Sequence, residues 1–140
     1  MSPSEFRFLH PLRVRWAETD MQGIVFNGHY LTYCDVAITE YWRAMGYEYP
    51  KPVELLGIDF FVVKASLEYH APACYDDELH IGVRMDRIGN SSMTFKLGVF
   101  RGESHLITGE IIYVSADPHS RKPLRVPDAL RGAVEGLENG

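Results

Sequence analysis

The stretch WAETDMQGIVFNGHYLTYCD, Trp16–Asp35, decides how the chain is read. Two carboxylates, Glu18 and Asp20, and then Gly23 stand directly before a long aromatic-rich segment in which the apolar period changes. Tyr30, Cys34, Ala37, Ile38, Tyr41 and Met45 recur at i, i+3 and i+4, with Thr32, Asp35, Thr39 and Arg43 largely opposite. This spacing predicts a helix over 27–45, about 28 Å long, the only long helix of the chain. Asn27 would be its N-cap and Gly46 its C′ residue. A loop that only joined two elements would not need ETDMQG, an apolar run and then an Asn-Gly-His helix start.

Working outward, the residues before this stretch alternate. Phe6, Phe8, Leu12, Val14 and Trp16 share one parity and Arg7, Arg13 and Arg15 the other, a half-buried strand interrupted or started near Pro11. From Ile58 onward the chain reads as strands: IDFFVVKASLEYH, ELHIGVRMDRI, MTFKLGVFR and HLITGEIIYVSAD, separated by APACYDD, GNSS and GES. Connections of hairpin length imply antiparallel pairing. The tail from Pro118 is rich in Pro, Arg and Gly, and residues 132–140 read as frayed. One α+β domain over 1–140 follows, with about five strands and a helix to cover one sheet face.

Composition narrows the class further. With 140 residues and 46% hydrophobic content the chain can bury a core without staples. A net charge of −5 without a basic block argues against a phosphate-backbone-dominated nucleic-acid role. The two cysteines and six histidines have no metal-ligand spacing, and no Gly-x-Ser-x-Gly elbow exists for a serine hydrolase. No apolar run reaches the ~20 residues of a membrane span. The amino-terminal MSPSEFRFLHP lacks the apolar centre of a leader. The expectation is a reduced, cytoplasmic protein.

The pattern Asp20-x-x-Gly23-Ile24-Val25-Phe26-x-x-x-Tyr30-Leu31 continues in YLTYCDVAITEYWRAMG, EYHAPACYDDELHI, GNSSMTF and RKPLRVPDALR. In this order it closely resembles the 4-hydroxybenzoyl-CoA thioesterase-like family of hotdog acyl-CoA thioesterases. It is also similar to the bacterial acyl-CoA thioesterases associated with the Tol–Pal system. The resemblance covers roughly Val14 to Arg131. It implies a hotdog fold, a long antiparallel sheet wrapped around one central helix, and thioester hydrolysis with Asp20 as the catalytic carboxylate and no cofactor. It also implies a homodimer joined sheet edge to sheet edge, often paired again into a tetramer, with active sites at the interface. Many relatives carry His or Tyr seven residues after the Asp; here Asn27 stands there, with His29 two further on.

The chemistry accords with that expectation. A thiolate leaves readily, so a carboxylate plus donors for the developing oxyanion suffices. The free N–H groups of a helix's first turn supply such donors, and Gly28 leaves that end open to close approach. Asn27 and Gly28 are therefore expected beside Asp20 in catalysis, with Gly23, Phe26, His29 and Tyr30 around the substrate. Read alone, Asp20 is a turn residue, Glu18 a solvated carboxylate, Asp35 an acceptor on the helix's polar face, and His29 cap-region filler. Cys34, on the apolar stripe, reads as packing. Ser91 and Ser92 are hairpin residues that could also approach substrate, and Arg121, Lys122 and Arg125 are either a solvated tail or a clamp for the CoA phosphates. Trp16, Phe26, Tyr30 and Trp42 could line an aryl or an aliphatic acyl pocket. A carrier-protein thioesterase and a non-catalytic acyl-CoA-binding module remain as alternatives.

Overall fold

The computed structural model describes Met1–Gly140. Its elements are β1 (Phe8–Arg13), α1 (His29–Ala44), α2 (Lys51–Leu56), β2 (Asp59–Tyr69), β3 (Glu78–Ile88), β4 (Ser92–Arg101), β5 (Ser104–Ala116) and α3 (Asp128–Asn139). The five strands form one sheet in the order β1-β3-β4-β5-β2, and every pairing is antiparallel. The α1 stripe buries Tyr30, Tyr33, Cys34, Ala37, Ile38, Tyr41 and Trp42. Against it pack alternate residues of the central strands, Leu79, Ile81, Val83, Phe95, Leu97 and Ile111 among them, in one core cluster of 26 buried residues. This is the hotdog arrangement. Gly46 ends α1 with φ +84°, a conformation that favours glycine.

Three expectations are corrected. The connection APACYDD is not a hairpin, because β2 pairs with β5 and not with β3. The chain leaves one edge of the sheet and crosses its end to reach β3. Second, Trp16 does not continue the inward parity of Val14: a 3-10 turn at Trp16–Glu18 breaks the alternation, leaving Trp16 80% exposed.

The third concerns residues 132–140, expected to fray. They belong to α3, which buries Leu130 and Val134. Glu138 fixes its end by accepting from the Tyr41 hydroxyl (2.5 Å) and the Met85 amide (3.0 Å). That amide is freed for a side-chain acceptor where β3 and β4 shift register between Met85 and Arg87.

The two sheet edges differ. β1 is short and carries Pro11, which cannot donate to a further strand. β2 runs eleven residues without proline, and Val62 and Val63 at its bulge are more than half exposed. If α3 is an integral part of the core, Leu130→Ala should cost about 2–5 kcal/mol in denaturant unfolding. A change within about 0.5 kcal/mol would mark it as a dispensable appendage.

Candidate active site

Asp20 sits at the tip of a small hairpin closed by a bridge between Thr19 and Val25. Its amide donates to Ile24 O (2.9 Å), and its own carbonyl accepts from Gly23 N (3.0 Å). Gly23 has φ +78°, so the turn needs a glycine there. One carboxylate oxygen, Oδ1, accepts from Gln22 N at 2.8 Å, while Oδ2 makes no bond within the protein. Asp20 is therefore both a turn residue and a carboxylate with a free oxygen.

Glu18 holds this hairpin from below, and the expectation of a solvated side chain is corrected. It is 7% exposed and accepts from Arg15 N (2.8 Å), the Arg15 guanidinium (2.7 Å) and the Tyr33 hydroxyl (2.9 Å). Burial raises its carboxyl, but the hydrogen bonds from Arg15 and Tyr33 outweigh that and hold it below the usual glutamate range. Burial, with the bond to Glu18, pushes the Tyr33 hydroxyl up. Glu18 O also accepts the Phe26 amide, tying the far side of the hairpin to the same point.

The helix begins at His29 with Gly28 as its N-cap, two residues later than expected, and Asn27 caps nothing through its side chain. The His29 amide donates to Phe26 O (2.9 Å), whereas the amides of Asn27 and Gly28 have no acceptor in the protein. A Cβ on Gly28 would come within 2.9 Å of the half-exposed Phe26 ring, so a side chain there would have to displace that ring. Two tyrosines pin the helix start to the segment that follows β2. The Tyr69 hydroxyl donates to Asn27 O (3.2 Å), and the Tyr30 hydroxyl accepts from Ala73 N (3.0 Å).

These elements enclose a cavity of about 590 Å³ lined by Asp20, Gln22, Ile24, Val25, Phe26, Asn27 and Tyr30 on one side and by residues 69–72 on the other. Tyr69 and His70 were given no role from sequence. The only signal was EYHAPA at the end of a strand pattern, where an apolar run turns. A second cleft, of about 420 Å³, starts at Gly28 and passes Leu31, Thr32 and Asp35 towards Val62 and Tyr113. A smaller one of about 190 Å³ continues from Asp35 to Trp42, Tyr49 and Phe60. Asp35, exposed on the polar face of α1, lines both.

The other expected residues divide. Phe26 and Tyr30 line the main cavity, Trp42 the smallest cleft, and Trp16 none of them. His29 stands edge-on to Phe26, with ring centroids 5.8 Å apart, outside the main cavity lining. Cys34 is fully buried, and burial with the neighbouring Asp35 charge pushes its thiol up to about 12, which leaves no thiolate for attack.

Ser91, Ser92, Arg121, Lys122 and Arg125 gather at the other end of the sheet. Ser92 pairs with Val114, which also pairs with Phe61. The Arg121 guanidinium lies 5.4 Å from the Phe61 ring, and Arg125 is paired with Asp128 at 2.7 Å. From Phe61 to Tyr69 along β2 is roughly 26 Å. Within one chain these residues do not meet Asp20.

Asp20 and the start of the central helix line one cavity of a hotdog sheet, and the comparisons give the class of protein. The profile of the thioesterase superfamily matches residues 22–108. The chain belongs to that superfamily. It is 29% identical over 131 residues to the acyl-CoA thioester hydrolase YbgC of Escherichia coli O6:H1, covering 93% of this chain and 96% of that one. The PA5185 protein of Pseudomonas aeruginosa superposes with a TM-score of 0.86 at 26% identity, over 98% of this chain and 95% of that one. A thioesterase from Thermus thermophilus, solved with coenzyme A and Zn, gives 0.82 at 25% identity over 97% of both chains.

The Glu18 bonds carry a pH signature. Because the folded-state pKa is lowered, their contribution is present above the ordinary glutamate range, near 4.3, and is lost as pH falls through the lower folded value. Glu18→Gln should cost about 1–3 kcal/mol at pH 7, with little from the exposed end of Arg15. Its deficit against wild type should shrink in acid. A deficit independent of pH would show that the charge is not what holds the hairpin.

Proposed function

We propose that the protein hydrolyses acyl-CoA thioesters, with Asp20 as the catalytic carboxylate and the Asn27 and Gly28 amides as the oxyanion donors. The observation that carries this reading is the free oxygen of Asp20 and the unengaged N–H groups of a helix start around one cavity. Asp20 either attacks the thioester carbon or takes the proton of the attacking water. In both routes the C–S bond breaks and the sulfur leaves with its electron pair as a thiolate; after direct attack, water then cleaves the acyl-Asp20 anhydride to release the acid and restore the carboxylate. The charge that develops on the carbonyl oxygen faces preoriented amides, each worth roughly 3 kcal/mol in comparable sites. The free thiols of Cys34 and Cys74 fit a cytoplasmic setting.

A second copy completes the site in this reading. The open edge is β2, and two-fold antiparallel pairing there sets the Phe61 end of one strand beside the Tyr69 end of the other. Arg121, Lys122 and Arg125 of one protomer, with Ser91 and Ser92 near them, would then approach the Asp20 cavity of its partner. They would hold the phosphates of CoA there. Two such dimers pairing again would give the tetramer that the family resemblance implies.

Two measurements test the roles. Asn can still accept from Gln22 N through its own Oδ1, so Asp20→Asn should leave the hairpin folded and lower kcat at least about a hundredfold. Asn27→Ala leaves the backbone donor and removes no cap, so activity should fall less than about tenfold with an unchanged Tm. An active Asp20→Asn enzyme would sink the mechanism, and a dead Asn27→Ala enzyme would move the chemistry onto that side chain.

Free CoA at a hundredfold excess over Kd should stabilise the fold by about 2.7 kcal/mol. Replacing Arg121, Lys122 and Arg125 together should raise KM more than it lowers kcat. Melting unchanged by millimolar CoA would favour a carrier-protein substrate instead.

A further inference from the structure

On the wall of the Asp20 cavity, His70 belongs to a chain of hydrogen bonds that fixes where its proton lies. His105 Nε2 is 2.9 Å from Ile107 O and 3.0 Å from Thr108 Oγ1. A carbonyl only accepts, so the His105 proton is on Nε2, and Thr108 Oγ1 accepts a share of it. The Thr108 hydroxyl then has one proton to give, and His70 Nε2, 2.8 Å away, is the acceptor in its reach. An imidazole that accepts at Nε2 carries its proton at Nδ1 when neutral. His70 Nδ1 has no partner in the protein, and His70 lines the cavity.

The surroundings keep this order. The two rings lie 4.7 Å apart, and His105 also packs on Phe100 at 5.3 Å. Burial lowers the His105 pKa, which favours the neutral ring that donates through Nε2. The backbone of His70 is fixed as well, its amide donating to Leu106 O at 2.8 Å. An oriented donor with no internal acceptor is a binding group waiting for one.

We propose that His70 binds the substrate, donating from Nδ1 to an amide carbonyl of the pantetheine arm, with Thr108 and His105 as positioning residues that set its tautomer. This inference rests on the acyl-CoA reading for its ligand but not for its tautomer. In that reading the thioester oxygen is taken by the helix amides. The pantetheine amides are the acceptors that every acyl-CoA carries, whatever its acyl group. His70 follows Tyr69 at the end of β2 that antiparallel edge pairing sets beside the partner's phosphate clamp. It therefore stands on the route from phosphates to carboxylate.

Two-bond ¹H–¹⁵N spectra of the whole protein at neutral pH read the tautomers without any substrate. The expected result is Nδ1–H for His70 and Nε2–H for His105, with His70 turning to the Nε2–H form in Thr108→Val. A wild-type His70 protonated at Nε2 would overturn the proton order. In kinetics with hexanoyl-CoA, His70→Ala should raise KM about five- to tenfold, as expected for one lost hydrogen bond, with kcat changed less than threefold. Thr108→Val should act in the same direction. Kd for free CoA, which carries the same arm, should rise with KM; an unchanged Kd would remove the pantetheine contact. If His70→Ala is silent while Asp20→Asn is dead, this inference alone fails. If Asp20→Asn is active, the acyl-CoA mechanism fails and the tautomer result still stands.

Discussion

Everything at the site depends on how the chain gets from β2 to β3. The two strands lie three places apart in the sheet, so residues 70–77 must run across its end. A chain stretched over a sheet end has backbone groups with no ladder to satisfy them, and each needs a partner. The partners found are the functional elements themselves. His70 N and Ala71 N reach Leu106 O, while Ala73 O takes the Val25 amide. Ala73 N donates to the Tyr30 hydroxyl, and Val14 exchanges bonds with Asp76 and Asp77. Satisfying the crossing segment thus draws the Asp20 hairpin and the start of α1 to one place.

The same geometry explains why the site is held without being closed. Glu18 and Tyr33 anchor the hairpin from the core, and Tyr69 fixes the carbonyl of Asn27, while the amides of Asn27 and Gly28 have no acceptor in the protein. A thiolate leaving group asks for little more than a carboxylate and such donors. This suits a small hydrolase of hotdog fold whose only charged side chain in the cavity lining is Asp20. The length of β2 sets the remaining constraint. In the proposed reading, the basic cluster near Phe61 and the carboxylate near Tyr69 serve one ligand when a second chain brings them together.

Much of this was legible in the residues, and the gaps have physical causes. The α1 stripe and the four later strands could be bounded to within a residue or two, because period 3.6 and period 2 are local signals. Glu18 could not be recognised as buried, since its partners Arg15 and Tyr33 lie on different elements and only the fold joins them. Residues 71–77 look like any hairpin turn, because crossing a sheet end and reversing direction use the same residue types. In α3 the spacing of Leu130, Val134 and Leu137 was a helix signal, masked by Gly132 and Gly136. His70 was hidden for a similar reason: its role depends on Thr108 and His105, more than thirty residues away.

The central claim is that Asp20 and the start of α1 converge on one thioester carbonyl. The most direct test is a crystal structure with a CoA ketone analogue, in which a methylene replaces the sulfur and no bond can be hydrolysed. The account predicts the analogue's carbonyl oxygen within about 2.7–3.1 Å of the Asn27 or Gly28 amide. It also predicts the carbonyl carbon facing the free oxygen of Asp20, directly or through one water. A carbonyl held elsewhere, with Asp20 out of reach of it, would contradict the account.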